Sequence, residues 1–351
     1  MINQDLQAQL KLVIEEFIKT SQIPGSAVAI YINNQTFLEL GIGYQDLNHQ
    51  VLLPTDAAFY IYSITKILLA TISLYLVNQG LLNFDTSLQK YEPILDASIT
   101  LKQLLSHTSG LPDYGEMSAY FATVKANPAS PWSTQDFFQI IQKQGLQFIP
   151  GQGWKYSNLG YLVVKCILEK VTGLSIQELM KSVIFEPLNL QKTFLPLTLE
   201  DVQELTPGFS NFFSSNQLQN ITHIYHPGWV SHSVVVSTAL ELAKIIDALF
   251  TGKIIPLTLV KQMSFPVHIF GEYPPLKLAG YGLGVAVDVE SPYGGMWGHT
   301  GEGPGYSTAA FHFPKLVNSQ ITIVTLLNRD QPNSGLILVD KIAQVLEDGE
   351  F

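Results

Sequence analysis

The stretch AAFYIYSITKILLATISLYLVNQGLLNF, residues 57–84, decides how the rest of the chain is read. Its only charge is Lys66. An apolar run of this length invites a membrane-span reading. Ser63, Thr65, Asn78, Gln79 and Gly80 interrupt it, however, and no cationic flank marks an inside face. A helix that is apolar nearly all round is also what the centre of a large protein buries. The stretch therefore predicts a buried helix, and the question becomes why such a helix keeps one lysine. Residues three apart share a helix face, so Ser63-Ile64-Thr65-Lys66 sets an amine beside a hydroxyl. A serine is a poor nucleophile without a base nearby. Burial disfavours the charged amine, which makes a lysine usable as that base. If Ser63 opens the helix, free backbone N–H groups and the positive end of the dipole also face the reacting carbonyl.

The surrounding composition narrows the setting. The chain has 351 residues, enough for one large domain or two smaller ones and for a core that needs no disulfide or metal. Lys plus Arg is 19 and Asp plus Glu is 29, a net charge of −10 with no basic cluster, which argues against a nucleic-acid partner. Apolar residues make up 46%, which excludes disorder. The single cysteine, Cys166, excludes an internal disulfide; on a helical pattern it falls with Leu159, Leu162 and Val163 and reads as a buried core thiol. The N-terminus has no cationic region followed by an apolar core, so no signal peptide is expected. That places the protein in the cytoplasm as written, or in the periplasm or outside the cell if an export signal has been left off.

Strand signals lie at both ends of the chain and helical signals in the middle. Leu6, Leu10, Val13, Ile14, Phe17 and Ile18 repeat at helical spacing, and Pro24-Gly25 ends that helix. AVAIYI from Ala27 and TFLELGIG from Thr36 are β-rich and are separated by a hairpin turn. Residues 63–190 read as helices, with starts at Ser133 and a capping-box spacing at Ser175/Glu178; Thr238/Glu241 repeats that spacing before ALELAKIIDALF. YGLGVAVDV from Tyr281, STAAFHF from Ser307 and QITIVTLL from Gln320 return to strand, and LILVDKIAQVLE closes the chain as a helix. The simplest assembly is an α/β fold of the α+β type: one mostly antiparallel sheet built from both termini, flanked by helices, with an inserted mainly helical domain. The expected boundaries are 1–62 with 205–351 for the sheet-containing domain and 63–204 for the helical one, with the site in the groove between them.

Two further motifs follow the first in order: Tyr156-Ser157-Asn158 and His299-Thr300-Gly301. Each alone is cheap. Ser87-Leu88-Gln89-Lys90 copies the first spacing in a polar segment, and Tyr31-Ile32-Asn33 copies the second at a strand end. His107 in SHTSG echoes the third motif after a helix and reads as a structural hydrogen bond at a turn. His223, His226 and His232 lack a carboxylate-backed ligand spacing, so they read as surface or groove residues and no metal is expected. The Gly-rich segments 280–284 and 301–305 do not lead from strand to helix, so no nucleotide cofactor is expected either.

Taken together, the three motifs resemble the serine β-lactamases and penicillin-recognising D-alanyl-D-alanine peptidases, specifically the class C β-lactamase-like branch that also holds esterases. The likeness runs through FYIYSITK, ITLKQLLSHTSGLPDY, PGQGWKYSNLGYLVVKCILEKVTG, IFEPLNLQKT, STALELA and WGHTGEGPGYS, and so covers most of the chain. It implies a serine hydrolase working through an acyl-enzyme on amide, β-lactam or ester carbonyls of a small molecule or peptide, without a cofactor. By that resemblance Ser63 is the nucleophile and Lys66 its partner. Tyr156 is a base or proton shuttle whose phenol nearby cations acidify, and Asn158 orients Lys66 and the substrate amide. His299, Thr300 and Gly301 line the opposite strand, and the backbone N–H groups of Ser63 and Glu302 form the oxyanion hole. Whether Lys66 or Tyr156 takes the serine proton stays open. The third motif departs from the lysine usual in β-lactamases: a histidine is mostly neutral at pH 7 and holds a carboxylate less firmly. The run Ser233-Val234-Val235-Val236, where relatives often have glycines, is a second departure and concerns packing. Arg329, the only arginine, follows a strand near where a substrate carboxylate could be held. A carboxylesterase on the same scaffold and a penicillin-binding sensor without turnover are the rival readings.

Overall fold

The computed structural model describes residues 4–214 and 217–349. Its largest element is an eight-stranded sheet, antiparallel throughout. In chain order the strands are β1 (Gly25–Ile32), β2 (Gln35–Gly43), β3 (His268–Tyr273), β4 (Leu276–Tyr281), β5 (Ala286–Asp288), β6 (Met296–Gly303), β7 (Tyr306–Leu316) and β8 (Ser319–Leu327). Their spatial order is β2-β1-β8-β7-β6-β5-β4-β3, so the N-terminal hairpin docks beside the last strand. Asn33 and Asn34 close that hairpin, both at positive φ, as a two-residue turn requires.

Both faces of the central strands are covered, which is why their sequences read as apolar runs and not as alternation. Val28 and Ile30 of β1, with Ile321, Ile323 and Leu327 of β8, pack with helices α1 (Gln4–Thr20) and α5 (Ser334–Asp348). Ala27, Ala29, Val324 and Leu326 point the other way into the larger core, where α4 (Ala239–Phe250) crosses the sheet. Thr238 caps α4 by accepting from the Glu241 N–H. The Glu241 carboxylate does not complete the box; it accepts from the Gln191 and Lys192 N–H groups and from Thr193.

That larger core continues into the helices of the middle of the chain. α2 (Thr65–Asn78) runs through it with Lys66 to Leu74 all buried, together with Leu76. At 1.5 Å per residue its 14 residues span about 21 Å, short of the roughly 30 Å of a bilayer's hydrocarbon. No helix among the described residues is long and apolar enough to cross a membrane. Each fully buried Ile or Leu of α2 contributes about 1.5–3 kcal/mol of burial free energy. α3 (Asn158–Thr172) packs against α2 and ends on Gly173 in the left-handed conformation. Cys166 lies on α3, half-buried, and burial raises its thiol to about 11.

Two expectations need correction. Ser63 does not open α2; it sits in a preceding 3-10 turn, Tyr62–Ile64, that runs on into the helix. And YGLGVAVDV is not one strand. Tyr281 ends β4, and the chain turns through Gly284 (φ +80) before β5. A Cβ on Gly284 would stand 2.5 Å from Ala70 Cβ and 3.2 Å from the Lys66 carbonyl, so the sheet dips here onto the helix that carries Lys66. The strand before it, with its β3 partner, has no clear apolar period, and the sequence alone does not show it.

Candidate active site

Ser63 is half-buried at the mouth of a groove. The residue before it, Tyr62, has φ +41, a conformation that side chains rarely adopt and that costs about 1–3 kcal/mol. The turn is held from outside: the Tyr62 hydroxyl donates to the Pro304 carbonyl at 2.6 Å, and the Ile61 N–H to the Val235 carbonyl at 2.9 Å. Val235 in turn donates its N–H to Thr65 Oγ1 at 3.1 Å. The run Val234-Val235-Val236 is fully buried behind this turn, so packing accounts for the absence of glycines there.

Lys66 is fully buried one turn on. Its Nζ lies 3.1 Å from Ser63 Oγ, 2.8 Å from Asn158 Oδ1 and 3.2 Å from His232 Nε2. Burial pushes the amine well below the usual lysine range, opposed only by the charge of Asp113. Tyr156 donates its hydroxyl to Ser63 Oγ at 2.8 Å. Here the expected acidification fails. Burial, reinforced by the neighbouring Tyr281, drives the phenol well above its ordinary range, so it stays protonated and serves as a donor.

The second motif stands at the start of α3. Ser157 caps that helix by accepting from the Gly160 N–H and donates to the Pro112 carbonyl at 2.7 Å. Asn158, the first helical residue, is gripped by Asp113: its N–H donates to Oδ1 at 2.9 Å and its side-chain amide to Oδ2 at 3.3 Å. That contact fixes which end of the amide faces Lys66. His107, expected as a structural hydrogen bond, holds the same segment. Its Nδ1 accepts from the Ser157 N–H at 3.1 Å and its carbonyl from the Lys155 N–H at 3.0 Å, while its ring lies 4.4 Å from that of Tyr156.

The third motif lies on β6, across the groove. A Cβ on Gly301 would be 2.1 Å from the Ile61 carbonyl oxygen, and one on Gly303 2.4 Å from the Tyr62 ring. Only glycine lets this strand lie directly on the Tyr62–Ile64 turn, which brings Glu302 beside Ser63. Gly301→Ala is therefore expected to lower kcat/KM by about 10²-fold or more by spreading these two backbones; an unchanged rate in a steady-state assay would show that the close approach is not needed.

His299 is buried, and its ring is fully engaged. Nδ1 faces the Thr300 carbonyl, which can only accept, and Nε2 lies 3.0 Å from the Tyr281 hydroxyl. Burial, helped by the charge of Lys66, brings it down to about 3, so it is neutral at pH 7. Arg329 is not brought to the groove. Its guanidinium donates to the Gln22 carbonyl at 2.6 Å, and it is not among the residues that line the groove. Its neighbour Asn328 is buried, accepting from the Gly25 N–H and donating to the Tyr44 carbonyl. The sequence reading missed Asp113, whose signal is only its place in SGLPDYG; it allowed His232 a place in the groove, where it does lie, but not its contact with Lys66. The groove wall beyond Ser63 is largely aromatic, with Tyr114, Tyr120, Phe121, Phe212 and Tyr225, and among the described residues no Lys or Arg lines it. Among the described residues no three or more His, Cys, Asp or Glu side chains are grouped so as to hold a metal ion.

Residues 10–347 match the family described as Beta-lactamase. The chain belongs to the Beta-lactamase family. It is a hydrolase-type chain of the serine β-lactamase and penicillin-binding protein superfamily. Among curated relatives, penicillin-binding protein 4* of Bacillus subtilis is 24% identical over 94% of this chain and 73% of its own length. Protein flp of Staphylococcus aureus is 29% identical over 55% of this chain, and the match spans only 39% of that relative. Among solved structures, the D-amino acid amidase of Ochrobactrum anthropi SV3, complexed with L-phenylalanine amide, has the same fold: TM-score 0.83, 21% identity, covering 98% of each chain.

Proposed function

We propose that the protein is a serine hydrolase that works through an acyl-enzyme, and that it prefers amides of short D-amino-acid units with an apolar acyl side chain and no carboxylate beside the scissile bond. The observation that carries the chemistry is Ser63 Oγ held between the Lys66 amine at 3.1 Å and the Tyr156 hydroxyl at 2.8 Å. Neutral Lys66 takes the hydroxyl proton as Ser63 Oγ bonds to the carbonyl carbon. The backbone N–H groups of Ser63 and Glu302 receive the developing oxyanion, a contribution of about 10²–10³-fold per donor. Tyr156 gives its proton to the leaving nitrogen as the C–N bond breaks, and the proton gained by Lys66 makes that loss good. Water then attacks the ester and frees Ser63.

The substrate preference rests on charge and shape. His299 has both ring nitrogens occupied within the protein, Arg329 is turned away, and no cation among the described residues lines the groove. Lys125 lies over the Phe212 ring of that wall, but no cation lines the groove beside Ser63, so a substrate carboxylate next to the scissile bond meets no fixed positive charge there, while the aromatic wall suits an apolar acyl group. The Ochrobactrum relative is itself a D-amino acid amidase. The test sets D-phenylalanine amide against a D-Ala-D-Ala peptide with a free carboxylate, a chromogenic penicillin and a neutral chromogenic ester. The amide is expected to exceed the carboxylate peptide in kcat/KM by about tenfold or more. Preference for the carboxylate peptide would overturn the proposed specificity. Turnover of the ester alone would make the protein a carboxylesterase, and a lasting adduct without product would make it a sensor.

A further inference from the structure

Lys66 Nζ has three polar neighbours in a buried pocket: Asn158 Oδ1, Ser63 Oγ and His232 Nε2. A neutral amine brings two N–H groups and one lone pair. Asn158 Oδ1 is committed as an acceptor, because the other end of that amide donates to Asp113. Ser63 and His232 must divide the remaining N–H and the lone pair between them. The tautomer of His232 decides which gets which. With the proton on Nε2, the ring would occupy the lone pair and leave Ser63 facing an N–H that can take no proton. It would also stand donor against donor once the amine is charged. With Nε2 unprotonated, the ring accepts from Lys66 in both protonation states.

We propose that His232, as its Nδ1–H tautomer, is a positioning residue: its Nε2 and Asn158 Oδ1 hold the two N–H groups of neutral Lys66 and so aim the lone pair at the Ser63 hydroxyl. The proposal rests on Ser63 and Lys66 being nucleophile and base. When Ser63 attacks, its O–H bond breaks and a third N–H forms on Lys66, while His232 neither gains nor loses a proton. Burial and the charge of Lys66 hold His232 well below the usual histidine range, so the ring stays neutral. The other titratable groups around this amine are Asp113, His107, His299, Tyr156 and Tyr161. His107 and His299 are held neutral by burial, and both tyrosines are held protonated by it. His232 Nδ1 has no hydrogen-bond partner among the described residues. A buried donor left alone weakens the fold, and such a group is kept where function needs it.

The test compares His232→Met and His232→Gln with the native protein on D-phenylalanine amide and on a chromogenic ester. Methionine fills the space without accepting well; the glutamine oxygen reaches close to where Nε2 lies. His232→Met is expected to lower kcat by about 10²-fold at nearly constant KM. Its melting temperature should not fall, and its acidic limb of activity should move to lower pH because the ammonium loses an acceptor. His232→Gln should recover to within about tenfold of the native kcat and keep the native limb. Native kcat in the methionine variant, or equal losses in both variants with a lowered melting temperature, would overturn the proposal. So would an Nε2–H tautomer for His232 by ¹⁵N NMR of the native protein, a readout that does not depend on either variant folding. Ser63→Ala run alongside separates the two layers: activity surviving there would overturn the nucleophile assignment itself.

Discussion

Lys66→Met is expected to lower kcat/KM by about 10⁴-fold while leaving the protein folded. The size follows from the absence of a substitute base. Tyr156 is held protonated, and His107, His232 and His299 make no hydrogen bond to Ser63 Oγ, whose hydrogen-bonded neighbours are Lys66 and Tyr156. The fold should survive because Met is a near match in volume and a buried amine is costly to keep. The same burial sets the sign of the pH dependence. The folded-state amine titrates below its ordinary value, so catalysis falls as pH drops through that lowered value and Lys66 takes up a proton. Stability moves in the same direction. Between the lowered value and the unfolded value of about 10.4, the unfolded chain binds more protons, so the native protein gains stability as pH rises. The Met variant lacks this gain. Melting curves across that window for both proteins check it; identical pH slopes would mean that Lys66 is charged in the folded state.

Ser63→Ala is expected to reduce turnover of every substrate to background, a loss on the order of 10⁴-fold or more. No second hydroxyl shares its position. Tyr156 points at the same oxygen but is a donor to it. Ser87, which copies the Ser-x-x-Lys spacing, lies where its partner Lys90 is exposed and rests over the Tyr91 ring. Ser87→Ala should keep native kcat/KM. Equal losses in the two variants would mean that the wrong serine has been named.

Much of this was legible in the sequence because the site is local in each of its parts. Ser63 and Lys66 are one turn apart, and Tyr156 and Asn158 bracket a helix cap. An apolar run broken by a single lysine is a strong local signal. The groups that tune these residues were not legible, since they arrive from elsewhere in the chain. Asp113 reaches Asn158 across 45 positions and His232 reaches Lys66 across 166. A histidine within WVSHSVVVS looks the same whether it faces solvent or a buried amine. Arg329 misled for the converse reason. Its type and its place after a strand suited a carboxylate, but beyond the end of β8 its guanidinium bonds the Gln22 carbonyl. Tyr156 shows a third limit: proximity to a cation suggests an acidic phenol, and only the depth of burial reverses that sign.

The central claim is that Ser63 forms the covalent intermediate. Intact-mass measurement of acid-quenched samples taken during turnover of the neutral chromogenic ester, followed by peptide mapping, tests it most directly. The account predicts one acyl adduct, located on the peptide that carries Ser63, absent from Ser63→Ala and slow to form in Lys66→Met. An adduct mapped to any other residue, or product release that Ser63→Ala leaves intact, would contradict it.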